Sequence, residues 1–364
     1  MALPGKVSIL YGPRQVGKTT LMKDMVQTMN WNSRFLSADE ISVREGLSTQ
    51  SLAELEQFTS GVDTLIIDEA QRIPDIGINL KILVDNFPNV RFIVTGSASL
   101  ELANKIREPL TGRTMTFNLF PICFSEICQA YGDFDARRKL EELLIWGEYP
   151  EVITTDDQHV KGKLLDEIVG FYLYRDLLEI EGIRRSEKIV DLLRMIAFQI
   201  GQEVSLAELA SGLNIHRDTV EKYLDLLEKS FVIYRVGGYA HNSRKGITKN
   251  ARYYFFDNGV RNSLIRNLNS ISLRNDIGQL WENFLMIERW KRNEYIDRRV
   301  NRYFWRTYDQ KEIDYIEETG GVISGYEFKW TGKIKNSTVQ VFTEANPGST
   351  VSVVDRQNFE SFIR

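Results

Sequence analysis

Nine residues, Gly12-Pro13-Arg14-Gln15-Val16-Gly17-Lys18-Thr19-Thr20, constrain this chain more than any other feature. They follow an apolar run, Val7–Tyr11, and open a helix-like stretch, Thr19–Thr28. A glycine-bearing turn between a strand and a helix points backbone N–H groups and a helix N-terminus at one anion. Holding such a turn requires a buried strand, and hence a parallel sheet covered by helices on both faces. The next hundred residues fit that demand. Apolar runs recur at Thr64–Asp68 and Arg91–Thr95, a further strand is expected at Ser33–Leu36, and Ile78–Asn86 reads as a helix. The expected class is α/β.

The nine residues fit the spacing G-x-x-x-x-G-K-[ST]. In that pattern Lys18 bridges the β- and γ-phosphates of a nucleotide and the Thr19 hydroxyl binds Mg²⁺. Fifty residues on, Leu65-Ile-Ile-Asp68-Glu69-Ala-Gln71 ends an apolar strand in two carboxylates. Asp68 is placed to reach the Mg²⁺ sphere and Glu69 to polarise a water for attack on the γ-phosphate. The strand Arg91–Thr95 runs into Gly96-Ser97, so Thr95 or Ser97 is a second polar contact at the same sheet edge, where ligands of open α/β sheets bind. No N-K-x-D guanine-reading motif occurs, which favours ATP over GTP.

These motifs resemble those of prokaryotic AAA+-type ATPases, in which G-P-R-x-V-G-K-T-T is followed by D-E-x-Q, T-G-S and G-R, then a proline-started helix. Here they stand as Gly12–Thr20, Asp68–Gln71, Thr95-Gly96-Ser97, Gly112-Arg113 and Pro121–Glu126. The likeness continues through Gly147–Pro150 and Tyr174-Arg175-Asp176 into the C-terminal half. Pro121-Ile-Cys-Phe stands where Pro-Leu-Ser-Phe is expected, and the short helical segment usual ahead of the first strand is scarcely present. The resemblance implies Mg²⁺-dependent ATP hydrolysis, with Arg113 as an arginine finger acting within the chain or across a homo-oligomer. Arg175 is a rival for that role.

At 364 residues the chain exceeds one ordinary domain of roughly 150 residues. Its divisions are expected at 1–120 (ATPase core), 121–200 (helical lid), 201–265 (winged helix) and 270–364 (an α/β endonuclease-like domain). Ser205–Ile215 followed by His216–Lys229 reads as helix, turn, helix, with Phe231–Val236 and Arg252–Phe256 as the wing. Net charge is −4, yet residues 211–310 hold 18 Lys and Arg against 11 Asp and Glu. Arg217, Lys222, Arg235, Arg244, Lys245, Lys249 and Arg252 supply cations for DNA phosphates, while Asp218, Glu221 and Asp225 on the same helix oppose them.

Further on, Asp314 opens a strand, and Glu327-Phe328-Lys329 follows the Gly320-Gly321 hairpin. Strand alternation puts Glu327 and Lys329 on one face and Phe328 on the other. Asp314 and Glu327 are placed to chelate Mg²⁺, with Lys329 orienting or activating water and Glu282 adding a further contact. This resembles the D-x(n)-E-x-K core of restriction-endonuclease-like folds. The resulting expectation is ATP hydrolysis coupled to DNA binding or processing. The alternative is an ATP-driven regulatory switch acting on a protein partner, its nuclease-like part a scaffold.

Composition excludes other classes. With 43% hydrophobic and 26% charged residues the chain is globular. Two cysteines, five apart, and three histidines rule out a disulfide framework and a conventional zinc site. No apolar stretch spans a membrane and no apolar signal core follows Met1, so a cytoplasmic location is expected.

Overall fold

The computed structural model describes residues 3–96, 110–170, 186–239, 251–332 and 335–364. They form two compact units: residues 1–120 with 229–231, and 121–228 with 232–364.

In the first unit five strands form one parallel sheet: β1 (Val7–Tyr11), β2 (Ser33–Ser37), β3 (Thr64–Asp68), β4 (Arg91–Gly96) and β5 (Thr114–Asn118), in the order β2-β3-β4-β1-β5. The core is α/β, as its apolar runs require. β4 lies between the loop strand β1 and the Asp-Glu strand β3, while β2 takes the outer edge. Alternation along the strands feeds two layers. Val7, Ile9, Leu65, Ile67, Phe92 and Val94 pack on one face, and Leu10, Ile66 and Ile93 pack with Met22 on the other. Register sets Tyr11 beside Gly96 and Ser37 beside Asp68, so these strands end along one edge.

The second unit is built on a seven-stranded mixed sheet. In chain order its strands are β6 (Glu203–Val204), β7 (Ile233–Gly238), β8 (Ala251–Phe255), β9 (Asn301–Arg306), β10 (Glu312–Thr319), β11 (Val322–Phe328) and β12 (Thr350–Val354). Their spatial order is β12-β11-β10-β9-β7-β8-β6. Helices Leu206–Leu213 and Arg217–Lys229 precede β7 and enclose a core of Leu209, Leu213, Val220, Leu224 and Leu227. Asn214, at φ 53°, turns the chain between them, and the Ser205 hydroxyl accepts the Glu208 N–H to start the first. β6, β8 and β7 then pair antiparallel, and β7 joins β9 in parallel at Gly237 and Gly238. One sheet therefore runs through the segments expected as separate divisions at 201–265 and 270–364.

The helix Ile277–Tyr295 crosses this unit as its spine. Leu280, Trp281, Phe284, Leu285 and Ile287 are buried with Phe328, Phe359 and Phe362. Asn283, Glu288, Arg289, Lys291 and Asn293 are buried too, and hold the helix in place. Asn283 accepts the Phe255 N–H at 2.7 Å and donates to the Phe255 carbonyl at 2.9 Å, clamping the helix to β8. Lys291 is held by Glu148 at 2.6 Å and Glu288 at 2.8 Å, while the Glu288 carboxylate also accepts the Phe124 N–H at 2.7 Å. These contacts fix the helix axially, and with it Glu282 one turn from its start.

Candidate functional site

The first site lies at the sheet edge where β1, β3 and β4 end. Gly12 is there because nothing larger fits. A Cβ on it would lie 2.2 Å from the Leu119 carbonyl oxygen, itself pinned by the 2.7 Å bond from the Leu119 N–H to Tyr11. Gln15 (φ 60°) and Gly17 (φ 94°) then bend the loop left-handed before the helix Lys18–Thr28 begins. Alternation of this kind turns successive N–H groups toward one concavity. Lys18 is buried, and its ammonium donates to the carbonyls of Gly12 (2.8 Å) and Pro13 (2.7 Å). A cation is thus stored inside the loop that would hold phosphate.

Asp68 ends β3 and is 8% exposed. One of its oxygens accepts the Thr19 hydroxyl at 2.8 Å; the other accepts the Thr95 hydroxyl and the Glu69 N–H at 3.1 Å. Thr95 therefore acts as a brace on Asp68, and Ser97 lies outside the described residues. Glu69 adopts φ 54°, an uncommon conformation for a residue with a Cβ, and its carboxylate takes the Gln71 amide at 2.5 Å. The strained backbone turns Glu69 away from the strand axis while Asp68 stays in line with it. The Thr19 hydroxyl and the Asp68 carboxylate are hard oxygen donors already paired, which suits a Mg²⁺ ion carried on a polyphosphate at the loop.

Arg113 is placed elsewhere. It precedes β5, and the Val7 N–H bonds its carbonyl at 2.9 Å, so it stands where β1 begins, not where β1 ends. Five residues of strand, about 3.3 Å each, separate that edge from the phosphate loop. Its side chain is 41% exposed and pairs with Asp85 at 3.0 Å. Of the two arrangements expected for Arg113, within the chain or across a homo-oligomer, this placement lends no support to the first. Arg175 lies outside the described residues.

The second site is a cleft of about 620 Å³ in the C-terminal unit, lined in part by Arg252, Glu282, Glu312, Asp314, Lys329 and Trp330. Register against β9 slips by one residue between Ile313 and Ile316, a bulge that falls on Asp314 and Tyr315. Bulges re-aim side chains. Asp314 accepts the Phe328 N–H at 2.8 Å, which ties it to β11 beside Glu327. Lys329 donates to Glu327 at 2.7 Å, and Phe328 enters the core, as alternation requires.

Too many acids share this cleft for the cations available. Burial, then the charges of Glu282 and Glu327, push Asp314 well above the ordinary carboxylate range. Burial also raises Glu327, and lifts Glu282 to about 7 despite Arg252 and the 2.6 Å hydrogen bond from Tyr254. Burial alone would lower Lys329, but the Glu327 bond and the Asp314 charge outweigh it. Lys329 is consequently held as a cation beside Glu327. Among the described residues no group of three or more His, Cys, Asp or Glu side chains is arranged to hold a metal ion. Asp314 and Glu327 offer a carboxylate pair, with one Glu327 oxygen buried and without a hydrogen-bond partner.

Arg252, expected among the cations for DNA, is instead 3% exposed. It reaches Glu312 at 2.8 Å, Glu282 at 3.6 Å and Asp314 at 4.0 Å, with the Phe304 ring 4.5 Å beneath it. Sequence offered no sign of this, because Arg252 meets these acids only after β8 joins the long sheet. Arg244, Lys245 and Lys249 lie outside the described residues.

The acids give a pH dependence with a definite sign. Folded Glu282 holds its proton to about 7, whereas an unfolded glutamate releases it near 4.3. The folded state thus binds more protons between these values, and stability falls as pH rises through the window. In a chelating buffer, thermal unfolding should show a falling melting temperature from pH 5 to 8. Glu282→Gln should flatten part of that slope, leaving what Asp314 and Glu327 contribute.

Residues 4–128 match the AAA domain family. Residues 137–271 and 277–362 match two domains of unknown function, DUF8612 and DUF4143. Uncharacterized proteins of Mycobacterium tuberculosis and Mycobacterium bovis are each 29% identical over 332 residues, covering 89% of this chain and 70% of their own. One of Haemophilus influenzae is 26% identical over 85% of this chain and 79% of its own. Among solved structures, a RuvB mutant of Thermotoga maritima aligns over 64% of this chain and 83% of its own, at 18% identity and a TM-score of 0.31. No helix among the described residues is long and apolar enough to cross a membrane. The N-terminal unit thus carries an AAA-type domain on a parallel α/β sheet, followed by two stretches whose families have no assigned function.

Proposed function

We propose that the chain binds ATP with Mg²⁺, hydrolyses it, and couples turnover to nucleic acid held by its C-terminal unit. The observation that carries the first part is the Thr19–Asp68 hydrogen bond at 2.8 Å. It unites the first turn of the loop helix with the tip of β3, forty-nine residues away, where both oxygens would meet the cation of a nucleotide held by Lys18. The loop N–H groups and Lys18 bind and orient the phosphates. Thr19 and Asp68 would hold Mg²⁺, which would supply positive charge against that of the phosphates. Glu69, released from Gln71, accepts the proton of the attacking water. Arg113 would contribute to a nucleotide on a second copy.

The second part rests on the cleft. Asp314 and Glu327 would hold a divalent cation beside Lys329, and a phosphodiester is the substrate class that such a set serves. The helix-turn-helix with its antiparallel strands has the element order of a winged helix. Its second helix, however, exposes Arg217, Lys222 and Lys229 against Asp218, Glu221 and Asp225, which leaves no net attraction for phosphate. That balance favours a protein partner for this surface, and it keeps the regulatory-switch reading as a second one.

Salt separates the two. A chain that neutralises several phosphates must lose affinity steeply as salt rises, because condensed counterions return to the polymer. Anisotropy of a labelled oligonucleotide, titrated from 50 to 200 mM salt with and without ATP, should show that steep loss. Salt-independent affinity, or none at 50 mM, would favour the switch.

A further inference from the structure

Beside the acidic cleft stands the most exposed of the large hydrophobic side chains among the described residues. Tyr308 is 103% exposed, at the tip of the hairpin joining β9 to β10. The base of that hairpin is part of the cleft, since Arg306 and Glu312 both line it. Tyr308 lies two residues beyond Arg306, a reach of at most about 7 Å.

This tip is braced. The Thr307 N–H donates to the Lys311 carbonyl at 2.8 Å, and the Lys311 N–H to the Thr307 hydroxyl at 3.1 Å. The Gln310 N–H donates to the Thr307 carbonyl at 3.1 Å, with Gln310 itself at φ 61°. The ring adds little buried area to the fold and is open to a ligand. Charge does not explain the hairpin either, because Arg306 and Lys311 are matched by Asp309 and Glu312. The hairpin thus presents a flat aromatic face next to residues that line the cleft. Trp330 also lines the cleft, but its ring is taken by Trp281 at 5.5 Å and by the Arg356 guanidinium at 4.3 Å.

We infer that Tyr308 is a base-stacking contact, and that the cleft takes an unpaired strand of nucleic acid rather than a duplex. Bases in a duplex are already stacked on one another, and only an unpaired or extruded base presents its face to an aromatic side chain. The volume of about 620 Å³ is that of a site for a small ligand, such as one or two nucleotides. A stacked base beyond Arg306 would leave its backbone running past Asp314 and Lys329. The inference rests on the reading that the cleft engages nucleic acid, and names the form it engages.

The test is anisotropy of a labelled single strand and of the duplex of the same sequence, with the full chain in Ca²⁺, which can fill the carboxylate pair, at fixed salt. Wild type should bind the single strand more tightly. Tyr308→Ala should weaken that binding about 5- to 100-fold, the loss expected for one stacked base. Tyr308→Phe, which keeps the ring, should stay within about twofold. Being exposed, position 308 tolerates these changes without loss of fold. Single-strand binding unchanged in Tyr308→Ala, or a duplex bound as well as the strand, overturns the inference and leaves the nucleic-acid reading standing. Wild type that binds neither form, with or without ATP, overturns that reading instead.

Discussion

Lys18→Ala should lose ATP hydrolysis by a factor of about 10²–10³, the cost of removing one preorganised charge from a developing anion. The loss should appear in nucleotide binding as well, because Lys18 sits inside the loop and faces whatever the loop holds. Glu69→Gln should behave differently. The Thr19–Asp68 pair and the loop remain, so ATP should bind as in wild type while turnover falls about 10²–10⁴-fold with the loss of the base. Phosphate release and equilibrium nucleotide binding, measured on both variants, separate the two effects. A Glu69→Gln protein with wild-type turnover would remove Glu69 from the mechanism.

Asp314→Asn is the corresponding experiment on the second unit. The asparagine oxygen can still accept the Phe328 N–H, and replacing the acid relieves its repulsion with Glu282 and Glu327. The variant should therefore melt at or above the wild-type temperature at pH 7.5. Phosphodiester cleavage supported by Mg²⁺ or Mn²⁺ should nevertheless vanish, while ATP hydrolysis is unchanged. That combination, a gain in stability with a loss of cleavage, cannot come from misfolding. Equal cleavage by variant and wild type would point to a contaminating nuclease, and no cleavage by either under any metal would favour the scaffold role.

Local chemistry in the sequence carried the first unit far. Gly12, Lys18, Thr19, Asp68 and Glu69 are readable because their spacing is bound to a strand, a turn and a helix that declare themselves by apolar period. β5 is not readable in this way. Thr114-Met-Thr-Phe-Asn has no apolar run, and without that strand the edge on which Arg113 stands is invisible. The helix-turn-helix was equally plain, with Ser205 to start it and Asn214 to turn it. What failed to show was assembly over distance. Burial of Arg252 depends on three acids, thirty to sixty-two residues away, reaching one cleft. The bulge at Asp314 and the exposure of Tyr308 depend on pairing that no local period encodes.

The parallel contact of β7 with β9, only Gly237 with Tyr303 and Gly238 with Phe304, has a consequence for inheritance. The two matches of unassigned function meet between residues 271 and 277, in the interior of a sheet whose strands lie on both sides of that boundary. Neither is a self-contained module. Severed from its neighbour, the earlier segment presents β7 as an open edge and the later one presents β9, and open edges recruit other chains. The two segments are therefore expected to be gained, lost and exchanged together, and a shuffled gene that parts them must supply a replacement strand.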